Sequence, residues 1–246
     1  MRVWQAGAVP EFGDARLEIQ CDVRDLETAR RALRCGYTFE VVRRDQRAVF
    51  SRLPDDPEDP IPPAFPALPP GGLTDGVITV RVPTEDDLTG FAEQEEDPQT
   101  VAISFSTTAK PRALMAALLA RGELDWLVGR TAPFTLVDAA SGRFAGTVHL
   151  RRQGPPGIAD LGYVVHPAFR GRGYTTRALR LITAWAFEHG GFVRLELGAK
   201  RANVASQRAA IAAGFVFEGE SPSRLRNPDG SYSDEVRYAL VRTDPA

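Results

Sequence analysis

The sequence predicts an α/β protein: a domain with a mixed central sheet flanked by helices, preceded by a shorter β-α-β-β fragment. Three observations carry that prediction. Strand-like runs alternate with helical periodicity along most of the 246 residues, the pattern of layered α/β chains. A Gly- and Arg-rich loop at 170–175 (R-G-R-G-Y-T) stands between an apolar strand and a long amphipathic helix. The stretch beginning at Arg16 recurs without a gap 178 residues later, at Arg194.

Taken in order, residues 15–21 (A-R-L-E-I-Q-C) read as a short strand. Asp25 stands at a helix N-cap, with Thr28 three residues on; the helix runs to Cys35, and Gly36 is placed as its C′ residue. Strands at 37–43 and 47–53 follow around a polar turn at 44–46. Residues 54–72 carry Pro at 54, 57, 60, 62, 63, 66, 69 and 70. Such a segment favours extended chain and cannot enter a sheet interior, so it reads as a surface linker. A strand at 77–82 leads to a helix capped by Thr84, with Asp86 and Asp87 in its first turn, reaching Glu95. Residues 97–108 read as a short helix and loop, and 110–121 as a helix with apolar spacing at Leu114, Ala117 and Leu118. Strands at 134–138 and 144–151 form a hairpin around A-A-S-G-R, and a turn at 153–157 enters the strand 158–166. The helix 173–189 presents Ala178, Leu181, Ile182 and Trp185 as an apolar face and ends at Gly190–Gly191. A strand at 192–199, a helix capped by Asn203 and ended by Gly214, and strands at 215–219 and 233–241 complete the chain. The expected boundaries are a half domain at 1–53, a linker at 54–74 and a catalytic domain at 75–246.

The recurrence covers more than one motif. At the offset that carries R-L-E-I onto R-L-E-L, Asp25 falls on Asn203, Thr28 on Ser206 and Arg30 on Arg208. Gly36 falls on Gly214 and Phe39-Glu40 on Phe217-Glu218. The fragment therefore reads as a second copy of the C-terminal half of the main domain. It has no counterpart of the 170–175 loop and is expected to be non-catalytic. About forty residues bury too little apolar surface alone. Its helix and sheet face is expected to pack on the main domain or on a second subunit, as in a homodimer.

Composition narrows the function classes. A formal net charge of −2, with 43% hydrophobic and 25% charged residues, is that of an ordinary soluble domain and argues against a nucleic-acid partner. No apolar run is long enough to span a bilayer, and the first ten residues lack the apolar core of a signal peptide. A cytoplasmic, membrane-free location is the expectation. Cys21 and Cys35 are too few for a disulfide framework and read as reduced thiols. His149, His166 and His189 have no ligand-like spacing, so no metal is expected.

The 170–175 loop carries the chemistry. No Gly-Lys-Ser/Thr follows, so it is not a Walker A loop, and Thr176 stands where a third glycine of G-x-G-x-x-G would fall. Gly171 and Gly173 let backbone N–H groups converge, the helix behind adds positive potential, and Arg170 and Arg172 flank it. That combination suits a pyrophosphate.

Three motifs carry a family resemblance: V-V-H-P-A-F-R-G-R-G-Y-T at 164–175, Asn203-x-x-Ser206 closing on Gly214-Phe215, and Asp160-Leu-Gly-Tyr163. In this order and spacing the chain resembles the GNAT superfamily of acyl-CoA-dependent N-acyltransferases, nearest the branch of ribosomal-protein N-terminal acetyltransferases, over roughly residues 77–242. The resemblance implies a GNAT fold, acetyl-CoA as cosubstrate, and acetyl transfer to a primary amine, a peptide N-terminus or a small molecule, by direct attack in a ternary complex. It implies that Arg170, Gly171, Arg172, Gly173, Tyr174 and Thr175 hold the pyrophosphate. Val164 and Val165 would border the pantetheine, with a free N–H near Val165 facing the thioester carbonyl. Asn203 would bond the pantetheine arm, and Ser206 would protonate the departing thiolate. Locally, Asn203 is first an N-cap and Ser206 an N3 residue. Thr175 departs from the Gly or Ala that the family carries there.

Asp160 is the candidate base, on a strand otherwise apolar, where loss of water would favour taking up a proton. Glu196, between Leu195 and Leu197, is the second candidate; its counterpart in the fragment is Glu18. Acceptor walls are expected from 97–108 and from a loop at 221–232 containing Arg224, Arg226, Asp229 and Tyr232. A non-catalytic acyl-CoA-binding sensor or scaffold is the alternative reading.

Overall fold

A computed structural model describes residues 2–4, 17–53, 64–105 and 110–243. The start of the first expected strand, Arg16 of the recurrence, the first part of the Pro-rich stretch and the end of the 97–108 segment lie outside these residues. In chain order the strands and helices are β1 (Arg2–Trp4), β2 (Leu17–Asp22), α1 (Leu26–Arg34), β3 (Thr38–Val42), β4 (Arg47–Arg52), β5 (Leu73–Thr74), β6 (Ile78–Arg81), α2 (Leu88–Glu96), α3 (Pro98–Ile103), α4 (Arg112–Ala120), α5 (Gly122–Leu127), β7 (Thr131–Asp138), β8 (Phe144–Arg152), β9 (Ile158–Val165), α6 (Tyr174–His189), β10 (Arg194–Lys200), α7 (Val204–Ala212), β11 (Val216–Arg226) and β12 (Tyr232–Val241). No helix among the described residues is long and apolar enough to cross a membrane.

The chain divides into two compact units. One comprises Met1–Phe65 with Ala117–Arg130, the other Pro66–Ala116 with Thr131–Ala246. This differs from the expected division at 53 and 74, because a segment from the middle of the sequence groups with the N-terminal residues. The first unit holds a four-stranded sheet in the order β1-β2-β4-β3. Asp25 Oδ1 accepts from Thr28 N at 3.0 Å and caps α1, and Gly36, at φ 75°, turns the chain out of it. Leu17, Cys21, Ala29, Ala32, Tyr37 and Phe50 form its core together with Leu124 and Val128. The cover that the fragment needs thus comes from α5 and the residue after it. Phe65 of the Pro-rich stretch is also not a surface spacer. It is buried, edge-on to Trp126 at 5.8 Å, and its carbonyl accepts from Trp126 Nε1 at 2.8 Å. Burying an aromatic ring outweighs the exposed course that proline content favours.

The second unit is built on an eight-stranded sheet, β11-β12-β10-β9-β8-β7-β6-β5. Its β9–β10 pair is parallel and its other neighbours antiparallel. This is the mixed sheet expected from the sequence. One face is covered by α6 and α7. There Phe134 meets Trp185 edge-on at 5.7 Å, over a layer that includes Val148, Leu161, Leu195 and Leu197. The opposite face meets α2 and α3, where Gln94 Nε2 donates to Thr147 Oγ1 at 3.0 Å and Lys200 Nζ to the Ala102 carbonyl at 2.9 Å. Thr84 and Asp87 form a reciprocal cap before α2.

The two units share a strand pattern. Val216 opposes Ala239 and Phe217 opposes Tyr238, as Thr38 opposes Ser51 and Phe39 opposes Phe50. The register slips between Phe217 and Gly219 in one and between Phe39 and Val41 in the other. The ring pairs at these positions match: 5.6 Å and 66° for Phe217–Tyr238, 5.5 Å and 69° for Phe39–Phe50. β1 runs parallel to β2 from Arg2↔Leu17 to Trp4↔Ile19, as β9 does to β10 from Ile158↔Arg194 to Asp160↔Glu196. β1 is an addition to the expected elements, since three residues carry no readable periodicity. The stretch between Trp4 and Leu17 is shorter than α6 alone.

Candidate active site

The site begins where two strands part. β9 continues to Val165 and β10 to Lys200, yet their pairing ends at Asp160↔Glu196. Beyond that rung a gap opens in the middle of the sheet. On its other edge β9 stays paired to β8, with Gly146 opposite Val165 and His166 N donating to the Ala145 carbonyl at 2.9 Å. Backbone groups of an antiparallel strand alternate edges, so the N–H and C=O groups of Tyr163 and Val165 point into the gap. The sequence reading expects a free N–H near Val165, and the Val165 N–H is one of the two that face this gap.

The loop lies at the end of β9. A short 3-10 turn, Pro167–Phe169, follows His166, whose Nδ1 accepts from Ala168 N at 3.3 Å. Gly171 and Gly173 both adopt φ 74°, and Gly173 is the N-cap of the 16-residue α6. A Cβ at either position would meet nothing within 4 Å, so conformation, not crowding, calls for glycine. Left-handed residues just before a helix turn successive N–H groups toward one spot, and the first helical N–H groups have no intrahelical acceptor. Arg172 lies over the Phe169 ring at 5.1 Å. A groove of about 550 Å³ continues along α6, lined by Asp75, Arg172, Thr176, Arg177 and Arg180 among others.

Two loop residues differ from their expected roles. The Arg170 guanidinium donates to Asp97 Oδ2 at 2.6 Å, Gln99 Oε1 at 2.8 Å and Thr100 Oγ1 at 2.8 Å, fastening the loop to the start of α3. Burial pushes Asp97 up, but the Arg170 guanidinium and the Thr100 N–H outweigh it and hold the carboxyl below the usual range. Arg170 therefore braces the loop against the start of α3. Tyr174 turns its ring inward, where its hydroxyl bonds Asp138, so only its N–H is left for a ligand. Thr175 is partly exposed on the first turn of α6.

On the α6–α7 face, Asn203 Oδ1 accepts from Ser206 N at 3.1 Å, the N-cap read from sequence. Ser206 is 9% exposed, and its Oγ lies 2.8 Å from the Tyr163 hydroxyl. Burial pushes the Tyr163 phenol up to about 12.

The other face carries the carboxylates. Asp160 is not the buried, solitary group that was expected. It is 23% exposed, and its two oxygens accept from Arg151 Nε at 2.8 Å and Nη2 at 3.1 Å. Glu196 is held by Arg194 Nε at 2.6 Å and Arg237 Nη2 at 2.8 Å. Lone pairs already accepting from guanidinium groups are poorly placed to take a proton from an amine. Past the Asp160–Glu196 rung, the next positions on the same face are Gly162 and Gly198, which leave a trough before Val164 and Lys200. Glu235 of β12 opposes Lys200 and leans over Gly198, so that a Cβ on Gly198 would fall 2.2 Å from Glu235 Oε1. Its side chain is 12% exposed, and its paired cation, Arg224, lies 3.9 Å away. His149 opposes Gly162 across the trough, and burial together with Arg151 and Lys110 lowers its pKa to about 4. The expected 221–232 loop is mostly strand. β11 extends to Arg226 through a register shift between Ser221 and Leu225, leaving 227–231 as the turn. Glu235 and Tyr163 were not singled out as site residues from sequence. Gly198 was the available signal for Glu235, and the Leu-Gly-Tyr motif for Tyr163.

A mixed sheet whose central parallel pair opens beside an anion-holding helix N-terminus is the frame of an acyl-CoA-dependent transferase. A family model described as an acetyltransferase (GNAT) domain matches residues 78–216, more than half of the chain, and the chain belongs to that family. A probable N-acetyltransferase, YjcK of Bacillus subtilis, is 31% identical over 113 residues, which is 45% of this chain and 62% of that protein. The alignment thus spans less than two thirds of the relative. Among solved structures, a spermidine N-acetyltransferase from Vibrio cholerae in complex with CoA and spermine matches with TM-score 0.61 at 17% identity, over 68% of this chain and 96% of that one. A putative ribosomal-protein-serine acetyltransferase from the same organism matches with TM-score 0.58 at 19% identity, over 72% and 100%. These likenesses establish the fold.

Proposed function

We propose that this chain transfers an acetyl group from acetyl-CoA to a primary amine by direct attack in a ternary complex. The observation that carries the reading is the gap between β9 and β10, with the Val165 N–H facing into it and the left-handed Gly171–Gly173 loop at its mouth. In this reading the N–H groups of residues 171–175 and the Arg172 side chain hold the pyrophosphate. The groove along α6 takes the nucleotide end near Arg177 and Arg180. Val164 and Val165 border the pantetheine, and the Val165 N–H steadies the carbonyl oxygen as it gains charge. Asn203 stays an N-cap whose amide nitrogen faces the pantetheine.

The trough side and the α7 side divide the proton work. Glu235, not Asp160 or Glu196, takes the proton from the attacking nitrogen, because its lone pairs are the least engaged at the level of the gap. Ser206, on the opposite face, gives its proton to sulfur as the C–S bond breaks, and solvent restores both groups. The first unit is the non-catalytic second copy of the C-terminal half, a reading supported by the matched registers and ring pairs. The solved relative bound to CoA and spermine makes polyamines one arm of the acceptor question. The ribosomal-protein acetyltransferase makes peptide N-termini the other.

The test is acetyl-CoA binding by thermal shift, followed by free-thiol release with spermidine, Ser- and Ala-initiated peptides and small primary amines. A shift together with thiol release for one acceptor class is expected. Absence of any shift at millimolar acetyl-CoA would reject the reading. A shift without thiol release across the panel would favour an acyl-CoA-binding sensor or scaffold.

A further inference from the structure

The Leu161-Gly162-Tyr163 motif has a side chain with no part in the steps above. Tyr163 is a strand residue on the α6–α7 face, and its ring fills space that any aromatic residue could fill. Its hydroxyl is more specific. It meets Ser206 Oγ at 2.8 Å and the Ser206 carbonyl at 3.2 Å. That carbonyl stands in the first turn of α7, where it already accepts the helical N–H from one turn ahead. The shorter contact to Oγ is therefore the principal one.

We infer that Tyr163 is a positioning residue that holds the Ser206 hydroxyl as a donor toward the gap, resting on the acid role of Ser206 proposed above. A serine hydroxyl has one proton and two lone pairs, and a helical serine ordinarily spends its proton on a carbonyl of the preceding turn. Here Asn203 fixes the Ser206 backbone N–H and Tyr163 fixes Oγ. Either hydroxyl of the pair can donate; in the inferred arrangement the phenol gives its proton to Oγ, which leaves the serine proton for an acceptor in the gap. Burial keeps the Tyr163 phenol protonated. The chemical step is unchanged. The C–S bond breaks, its electron pair collects on sulfur, and the Ser206 proton follows; Tyr163 keeps its own.

A double-mutant cycle tests this in the full chain, with acetyl-CoA and the panel amine that the wild type turns over fastest. Tyr163→Phe preserves the ring. It is expected to lower kcat about tenfold while leaving KM for acetyl-CoA within twofold, and Ser206→Ala to lower kcat at least as much. In the Ser206→Ala background, Tyr163→Phe should cost nothing further, because the hydroxyl it directs is gone. Ser206→Thr, which keeps a hydroxyl, should restore sensitivity to Tyr163→Phe. Equal losses in both backgrounds, or a Tyr163→Phe enzyme with unchanged kcat, would overturn the inference and leave the acetyltransferase reading standing. Failure of the wild type to acetylate any panel amine would overturn both.

Discussion

Glu235 and Asp160 stand on the same face of the sheet, but their neighbours suit them to different work. Two guanidinium bonds to Asp160 fix both of its oxygens across the β8–β9 pair. Glu235 meets one guanidinium at long range and reaches over a glycine into the trough. General base catalysis is worth about 10²–10⁴ in rate. Glu235→Gln is accordingly expected to lower kcat about a hundredfold or more with KM for acetyl-CoA little changed, whereas Asp160→Asn should cost less than about fivefold. Steady-state thiol release measures both, and a reversed order would return the base role to Asp160. His149 offers a pH test at the same scale. The unfolded chain protonates this ring near 6.5 and the folded one near 4, so stability falls as pH drops through that window and levels below it. The ceiling is about 2–3 kcal/mol for the partly exposed ring. Denaturant midpoints at pH 6.5 and 4.5 should differ less for His149→Gln than for the wild type; an identical difference would refute the attribution. Neither Glu235 nor His149 is legible as a site residue in sequence. Each gains its place from a cross-strand register, and β12 is separated from β10 in the chain by α7 and β11. Asp25 and Asn203 were legible because capping is decided within three residues.

The β9–loop–α6 unit shows the same division at the scale of an element. Its strand, its two glycines and the start of its helix follow from local chemistry, and the structure keeps them where the pattern puts them. The two arginines look alike in sequence yet part company, because Asp97, Gln99 and Thr100 arrive from a distant segment to hold Arg170. Charge reversal separates them. Arg172→Glu should raise the Kd for CoA about tenfold or more, or about 1.4 kcal/mol, read by calorimetry at low and moderate salt. Arg170→Glu should place a carboxylate against Asp97 and loosen α3, read as faster amide exchange over Pro98–Ile103, with a smaller change in CoA affinity. Equal losses of affinity without faster exchange would mean that Arg170 serves the phosphate after all.

At the scale of the molecule, the chain carries one Gly- and Arg-rich loop and runs twice through the order strand–helix–strand–strand, at β2-α1-β3-β4 and at β10-α7-β11-β12. The recurrence was legible because caps and glycines keep a fixed register through a helix. The segment that completes the first unit's core was not. G-E-L-D-W-L-V is too short to show helical periodicity, and it lies in sequence inside the second unit. Its burial nonetheless makes a sharp expectation. Leu124 is fully buried in the first unit's core, packed with Val128 around Leu17, Cys21, Ala29 and Phe50. Truncating a buried leucine costs about 2–5 kcal/mol, through lost transfer energy and the cavity left behind. Leu124→Ala should therefore speed amide exchange in β2 and β4, at Leu17–Asp22 and Arg47–Arg52. If the first unit is non-catalytic, the same variant should bind acetyl-CoA with unchanged Kd under conditions where the second unit's sheet stays protected. Unchanged exchange in β2 and β4 would mean that α5 does not complete this core. A large loss of acetyl-CoA affinity with the second unit's protection intact would mean that the first unit takes part in acetyl-CoA binding.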